Sequence, residues 1–387
     1  PESQLPQPAD RICWAAINIG LLLGFMYLTW KMAATGIPGG KLSTPIHLAL
    51  IWLLALAIRL TIIPLEYESH DYWIAMLSVS AIYFWQRDRN IAAGIFAAVA
   101  AAIKATPLLF VPFFLVQRRW TAVATAVVVL TTLTFLPDLF VANPDGPTWA
   151  STWQQRFISK VDVGGAPSAE GAWSSWNVAN QSLSGTLYRY FQAPPKPPTD
   201  TTGDAAADQN GERPFLETVA DKKSIDIRFA TLAPKTIGRI GVVLKLAIFG
   251  WVMFVAWPRT SVDRSPDRTY RSLAIGSTVL CAMLLLSPMS SGYHFDLLLP
   301  PLCVMVVDAL YRRRSLAMKI VLIAMTVLVG LAGRDIVGST AQDILLAYGN
   351  LTWAAIVCLI SCGRIALADF PPETSAPETN TEQPPAL

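Results

Sequence analysis

The sequence is short of charge, and its few cysteines stay out of the polar stretches. Charged residues make up 15% of the 387 residues, whereas hydrophobic residues make up 53%, and the mean hydropathy is +0.43. This balance excludes an ordinary soluble globular protein of that length. It indicates several membrane-spanning helices, and therefore an all-α polytopic membrane protein.

The cysteines have neither the spacing of a metal site nor the placement of a disulfide framework, because all of them lie within apolar segments. They are Cys13, Cys281, Cys303, Cys358 and Cys362. No cofactor or metal site is therefore predicted, without this excluding a divalent metal. The net charge of +3 gives no reason to expect a nucleic-acid partner, and the expected environment is the membrane.

Lysine and arginine concentrate in alternate turns between the apolar segments. The basic turns are 31–41, 87–89, 118–119, 259–271 and 312–319. The other short turns hold little beyond Lys104 and Arg334. Because basic residues are retained on the cytoplasmic side, this pattern predicts that Pro1 lies outside and the C-terminus inside.

The same alternation divides the chain into four parts. They are transmembrane helices over 1–141, a long extracytoplasmic loop over 142–236 with a flexible insert at 193–214, transmembrane helices over 237–361, and a disordered cytoplasmic tail over 362–387. The loop is placed outside by parity, since long segments do not obey the charge rule. The tail is rich in Pro, Thr and Glu, a composition typical of disorder.

The segment from Asn90 to Trp120 predicts a short hairpin within the membrane. Its arms, Ile91–Ile103 and Pro107–Val116, meet at Lys104, and both outer flanks are basic. An arm of about 13 residues rises only about 20 Å, against a hydrocarbon core of about 30 Å. A lysine at that depth needs an anion or a wet cavity, although a lysine that snorkels from a helix end is the alternative.

Three further apolar segments are equally short, namely Asp71–Trp85, Ser272–Leu286 and Asp296–Leu310. Their outer ends would share one depth with Lys104, below the outer surface. We therefore predict a recessed cavity that opens outwards. Its floor would be built by the turns at 70–71, at Lys104 and at 287–296.

Several polar residues in these turns could carry chemistry. Glu68 and Asp71 could act as a general base or hold a sugar, and a solvated acidic loop is an equally good interpretation. His294 could bind a phosphate oxygen or move a proton, and a structural histidine is the alternative. Farther along the outer segment, Trp176 with Asn180 and Gln181 suits sugar binding, although tryptophan is also common at membrane interfaces.

Three blocks that follow one another in the chain resemble glycosyltransferase family 87. They are IAAGIFAAVAAAIKATPLLFVPFFLVQRRW, NQSLSGTLYR and LLLSPMSSGYHFDLLLPP. The resemblance implies a GT-C-like bundle that transfers a sugar from a polyprenyl monophosphate on the outer side of the membrane. It also implies a set of active-site residues: Lys104, Asn180, Gln181, Arg189, Ser287 and His294.

One stretch departs from the family pattern. Where the family often has Gly-Gln-x-Asn before the lysine hairpin, this chain has Glu68-Ser69-His70-Asp71-Tyr72. The proposed base of the family, an aspartate in the first outer loop, would precede Pro1. Since the chain begins without methionine or a signal peptide, we interpret it as lacking that loop and one span.

The expected function is therefore transfer of a hexose, mannose first, or of a pentose, with inversion and without a metal, at the outer face of a bacterial inner membrane. The partners would be a polyprenyl-phosphate sugar donor and a lipid or glycan acceptor. Roles follow by residue: Lys104, His294 and Arg189 would bind the donor phosphate; Asn180, Gln181, Trp176 and Ser287 would bind sugar or acceptor; Glu68 and Asp71 would be the substitute bases. The alternative is a transporter or flippase of a lipid-linked sugar, although the internal repeats common in transporters are not evident.

Overall fold

The computed structural model describes residues 7–37, 59–64, 69–144, 146–156, 159, 175–193, 225–258 and 266–368. Within these ranges the secondary structure is helical, and no strand occurs. Six helices are long and apolar enough to cross a membrane, or seven if a bent pair counts as one span. The prediction of an all-α polytopic membrane protein is confirmed.

The helices of the first half include the two arms of the hairpin and the helices around them. They are α1 (Gln7–Ala33), α2 (Asp71–Trp85), α3 (Asn90–Ile103), α4 (Phe110–Val116), α5 (Trp120–Phe140) and α6 (Trp149–Arg156). A 3-10 helix, Thr106–Leu109, leads into α4.

The second half supplies the centre of the bundle. Its helices are α7 (Leu183–Phe191), α8 (Pro234–Ala256), α9 (Pro266–Leu286), α10 (Leu299–Val307), α11 (Leu316–Met325), α12 (Arg334–Ala347) and α13 (Asn350–Leu367). The 3-10 helix Gly292–Leu298 leads into α10, and π-helical turns, Asp308–Arg312 and Thr326–Gly330, follow α10 and α11. Protein surrounds α9 and α10, whereas α5 is peripheral.

The hairpin forms where the sequence predicts it. Alanine-rich α3 is a strong helix former, and it ends at Ile103 because Lys104 is extended, with φ −148° and ψ 132°. The chain then turns into the second arm with Pro107 in the first turn of a 3-10 helix, a position where the missing N–H costs nothing.

Small residues bring α3 and α5 into close contact. A Cβ atom added at Gly94 would lie 2.5 Å from the carbonyl oxygen of Ala122, and Ala97 and Ala126 are buried at the same interface. Because only small side chains permit two helix backbones to approach this closely, Gly94 fixes the distance between the hairpin and α5.

The basic turns on both sides of the hairpin lie at one end of the bundle. Asp88, between α2 and α3, pairs with Arg119 at 2.5 Å and with Arg268 at 3.2 Å. Asp88 and Arg118 both adopt positive φ, 59° and 55°, in the tight turns that end their helices. The common location of these turns, which the charge pattern predicts, is therefore present in the fold.

The predicted lengths of two crossings were wrong. Helix α9 has 21 residues, and Gly292–Arg312 forms one continuous helical segment of 21 residues. Helix α9 gains residues at its basic end, and the second segment gains 292–295 at the pocket end and 311–312 at the basic end, because polar residues next to the apolar runs continue the helices. Of the segments predicted to be short, α2, with 15 residues, and the hairpin arms remain so.

The C-terminal boundary also differs from its prediction. Helix α13 continues to Leu367 and buries Cys362 completely, so residues 362–367 belong to the bundle rather than to a tail. Helix α12 is bent by 91° from the segment before it. The tail from 369 onwards and the insert beyond Ala193 lie outside the described residues.

Candidate active site

Three polar side chains from separate elements meet in one pocket. Asp71 begins α2, Lys104 lies at the break of the hairpin, and His294 lies in the 3-10 helix before α10. The Lys104 Nζ atom lies 3.6 Å from Asp71 Oδ1, and the His294 Nε2 atom lies 3.7 Å from the same oxygen. One carboxylate oxygen therefore sits between an ammonium group and an imidazole.

The rest of the pocket combines small polar groups with an apolar wall. Its lining consists of Asp71, Ile74, Lys104, Thr106, Met283, Leu284, Ser287, Ser290, His294 and Leu297. Such a lining suits a ligand that carries an anionic group on an apolar chain, because a few placed polar groups orient it while the wall excludes water.

The charged groups of the pocket differ in exposure. The side chains of Asp71 and His294 are 7% and 9% exposed, whereas that of Lys104 is 26% exposed. The Ser69 hydroxyl donates a hydrogen bond to the second oxygen of Asp71, Oδ2. Lys104 is therefore the group that an incoming anion can reach. Asp71 is fixed through Oδ2 by its hydrogen bond from Ser69.

His294 is oriented by the turn in which it lies. The backbone N–H of Ser291 donates to His294 Nδ1 at 3.0 Å. Since a backbone N–H can only donate, Nδ1 must accept, and the neutral ring carries its proton on Nε2. Asp71 Oδ1 is the acceptor nearest to that proton among the contacts of Nε2 within the described residues, 3.7 Å from the nitrogen. The neutral imidazole is thus a hydrogen-bond donor toward the pocket.

The serine turn before α10 is held by its own hydrogen bonds. The Ser287 hydroxyl donates to the Met289 carbonyl at 2.6 Å, and the Ser290 hydroxyl donates to the Leu284 carbonyl at 2.8 Å. Both hydroxyl protons are used within the protein. Ser287 therefore lines the pocket as an acceptor, with its remaining lone pair.

Arg189 lies beside the pocket in a cage of carbonyl groups and does not line it. Its guanidinium donates to Ala347 O at 2.9 Å, Asn180 O at 2.8 Å, and Ser175 O and Asn177 O at 3.2 Å. Burial lowers the pKa of this guanidinium to about 10, so it remains a cation at neutral pH. Because carbonyl oxygens occupy its donors, the phosphate-binding role predicted for Arg189 gains no support from this geometry.

Asn180 and Gln181 are also used inside the protein rather than at the pocket surface. The Asn180 side chain accepts from Ser182 N at 3.1 Å, and Gln181 Nε2 donates to Val178 O and Leu346 O at 2.6 and 2.7 Å. The backbone N–H of Gln181 donates to Ser290 O at 2.6 Å. This last bond ties the segment 175–193 to the turn that carries His294.

Of the predicted site residues, the pocket brings together Asp71, Lys104, Ser287 and His294. Trp176 packs its ring edge-to-face against Tyr188, 6.3 Å between centroids. The remaining predicted base, Glu68, lies outside the described residues.

Three polar residues near the pocket escaped the sequence prediction. Ser69 and Ser291 act through hydrogen bonds that only the fold defines, although Ser291 and His294 have the spacing of a capping box. Asp296 is completely buried and interacts electrostatically with Asp71 and Lys104. Within the described ranges, no three His, Cys, Asp or Glu side chains are grouped closely enough to hold a metal ion.

Comparison with known proteins places the chain in a family. No curated protein and no solved structure matches it. The family model described as glycosyltransferase family 87 matches residues 1–288, a range that includes Asp71, Lys104 and Ser287 and ends shortly before His294. That range is well over half of the 387 residues, so the chain belongs to glycosyltransferase family 87 and is a membrane glycosyltransferase.

Proposed function

We propose that the enzyme transfers a sugar, mannose first, from a polyprenyl monophosphate to a lipid or glycan acceptor on the outer side of the membrane. Family membership and the membrane-spanning helices support a membrane-embedded glycosyl transfer. A donor of this class carries one anionic phosphodiester on a long apolar chain. The meeting of Lys104 with His294 in a pocket with an apolar wall is the observation that carries the proposal.

The chemistry follows from the donor. The acceptor hydroxyl attacks the anomeric carbon from the face opposite the phosphate, the bond between that carbon and the phosphate oxygen breaks, and the configuration inverts. Negative charge grows on the departing phosphate, where the Lys104 ammonium and the Nε2–H of His294 stabilise it. The acceptor proton passes to a carboxylate, for which Glu68 is a candidate within this sequence.

A transfer assay with the full-length protein in detergent or nanodiscs tests these roles. With polyprenyl-phosphate-mannose labelled in the sugar, we expect Lys104→Ala and His294→Ala each to lose about 10²-fold or more of the turnover, as for removal of other groups that stabilise developing charge. Polyprenyl-phosphate-glucose and a polyprenyl-phosphate pentose assayed in parallel identify the sugar.

Two substitutions provide matched controls. Lys31 lies at the end of α1, beside the rings of Tyr27 and Tyr83. His70 precedes Asp71 in the chain but is exposed and contacts Trp14, 5.3 Å between ring centroids. Lys31→Ala and His70→Ala should keep wild-type turnover. Full turnover in the Lys104 and His294 variants would rule out the proposed phosphate site.

The transporter alternative predicts a different product. It requires movement of the intact lipid-linked sugar across the bilayer without a new glycosidic bond. Fully buried apolar side chains such as Ile82, Phe113 and Leu280 fill the bundle below the pocket, which favours a closed site. Reconstituted vesicles that relocate labelled donor but form no glycosidic product would favour the transporter.

A further inference from the structure

Asp71 occupies the place that an anionic headgroup needs. Its Oδ1 atom lies 3.6 Å from Lys104 Nζ and 3.7 Å from His294 Nε2. These are the two groups assigned above to the donor phosphate. Oδ1 lies between these two groups, the region to which a phosphate oxygen bound by both would also be drawn. The carboxylate and the phosphate therefore compete for one position.

The charges that face this position leave little room for a second anion. Asp296 interacts electrostatically with both Asp71 and Lys104, and it is completely buried. The hydroxyl of Tyr72, on the same helix as Asp71, donates to the Thr61 carbonyl. Two carboxyl groups, Asp71 and Asp296, thus already interact with Lys104. A phosphate that entered beside the Asp71 carboxylate would therefore be opposed by like-charge repulsion, which is strong at short range inside a protein.

We propose that Asp71 is the resident counter-ion of the pocket, that the donor phosphate displaces it from Lys104 and His294, and that Asp71 is a positioning residue rather than the base. The inference rests on the proposed function. In the empty pocket the carboxylate keeps the ammonium and the imidazole directed at one point. When the phosphate arrives, the carboxylate moves toward Ser69, whose hydroxyl already binds Oδ2.

The geometry suits exchange rather than permanent pairing. Both contacts of Oδ1 are longer than the 2.7–2.9 Å of a strong charge-assisted hydrogen bond, whereas the second oxygen is already bonded to Ser69. As a base, Asp71 would be weakened by the ammonium and the imidazole N–H beside it, because both stabilise its ionised form. As a counter-ion, it only has to give up its place to another anion.

The substitution Asp71→Asn separates these roles. Asparagine keeps the size of the side chain but removes the competing charge. If Asp71 is a counter-ion, Asp71→Asn should bind a short-chain polyprenyl monophosphate without sugar about tenfold more tightly than wild type. Its KM for the donor should fall, and its kcat should stay within about threefold of wild type. Loss of a general base would instead reduce kcat by about 10²-fold or more at unchanged affinity.

A buried carboxylate elsewhere in the bundle provides the matched control. Asp308 is 1% exposed and pairs with Arg313 at 2.9 Å at the other end of α10. Asp308→Asn should lower the thermal stability without changing the affinity for polyprenyl monophosphate. If it tightened binding as Asp71→Asn does, the effect would be one of net charge and the inference would be overturned.

The longer side chain of Asp71→Glu keeps the charge and tests the same point if Asp71→Asn does not fold. Its carboxylate reaches farther into the pocket, so we expect the KM for the donor to rise severalfold with little change in kcat. An unchanged KM with a kcat that falls 10²-fold would assign Asp71 as the base and overturn the proposal.

Lys104→Ala distinguishes failure of the inference from failure of the proposed function. If wild type and Lys104→Ala bind the polyprenyl monophosphate equally, the proposed phosphate site is wrong and the counter-ion role with it. If Lys104→Ala loses binding while Asp71→Asn binds no more tightly than wild type, only the counter-ion role is wrong.

Discussion

At the scale of single residues, the position of the ring proton of His294 determines which hydrogen bond the pocket can offer. The Ser291 N–H fixes Nδ1 of His294 as an acceptor, and Nε2 therefore presents a hydrogen toward Asp71. The imidazole does not need a positive charge to bind a phosphate oxygen. Lys104 supplies the charge, while His294 supplies a directed hydrogen bond.

Two amide substitutions test this division. The amide nitrogen of glutamine reaches the position of Nε2, whereas that of asparagine stays near Nδ1. We therefore expect His294→Gln to keep more transfer activity than His294→Asn, by about tenfold, since a neutral hydrogen bond contributes about 1 kcal/mol and one to a charged group up to about 3 kcal/mol. The measurement is kcat/KM for the lipid-phosphate donor. Equal activities, or a more active asparagine variant, would contradict the assignment of the proton to Nε2.

The sequence analysis placed Lys104 and His294 at the floor of one cavity, and the fold brings both near Asp71 Oδ1, although the crossing that carries His294 is longer than predicted. The place of Arg189 could not be predicted. Its partners include the carbonyls of Ala347 and Asn180, and backbone carbonyls carry no signature in the sequence. A buried arginine that faces carbonyls and one that faces a phosphate look alike until the chain is folded.

At the scale of helices, the break at Lys104 was predictable and the break at Gly349 was not. The stretch from Lys104 to Pro107 interrupts an apolar run because the lysine is charged and because the proline has no backbone N–H to donate. Gly349, with φ 67°, separates α12 from α13, but glycine is common within membrane helices. A glycine inside an apolar run therefore does not by itself predict a break. A hydrophobic pattern finds apolar lengths, and it does not show where a permissive residue will turn the chain.

The contact between α3 and α5 supplies a prediction at this scale. In Gly94→Ala, the added methyl group would meet the Ala122 carbonyl, so the helices must separate. We expect a loss of about 1–3 kcal/mol of stability, as for other overpacked sites, with a lower thermal midpoint in detergent.

Gly250 in α8 is the matched control, because a Cβ atom added there meets nothing within 4 Å. Gly250→Ala should be neutral or more stable by up to about 1 kcal/mol, since alanine is the better helix former. A Gly94→Ala protein as stable as Gly250→Ala would contradict the close approach of the two backbones.

At the scale of the whole molecule, the ends of the bundle differ in charge. Asp88, Arg119 and Arg268 pair at one end, and the pocket with Lys104 lies where the hairpin turns at the other. The excess of basic residues predicts that the first end faces the cytoplasm. The pocket would then open toward the outside, where a polyprenyl-linked donor would be used.

Cysteine labelling tests this orientation. Four native cysteines are buried and Cys13 is exposed, so we expect a Cys13→Ser protein to react little with the maleimide before a new cysteine is introduced. We expect a membrane-impermeant maleimide to label Ala193→Cys in intact bacterial spheroplasts, and to label Arg89→Cys only after the membrane is opened. Both positions are exposed in the fold. The reverse pattern would place the pocket on the cytoplasmic side.

The bend of about a right angle before α12 brings the C-terminal end of that helix against the segment 175–193. The final carbonyls of α12, on Leu346 and Ala347, accept hydrogen bonds from Gln181 and Arg189 of the segment 175–193. That segment in turn bonds to the turn that holds the imidazole. A protein that ends just before Leu346 would keep the lysine hairpin and the helices packed against it. It would nevertheless lose the carbonyls that hold Gln181 and Arg189, and with them the support of the turn that carries His294.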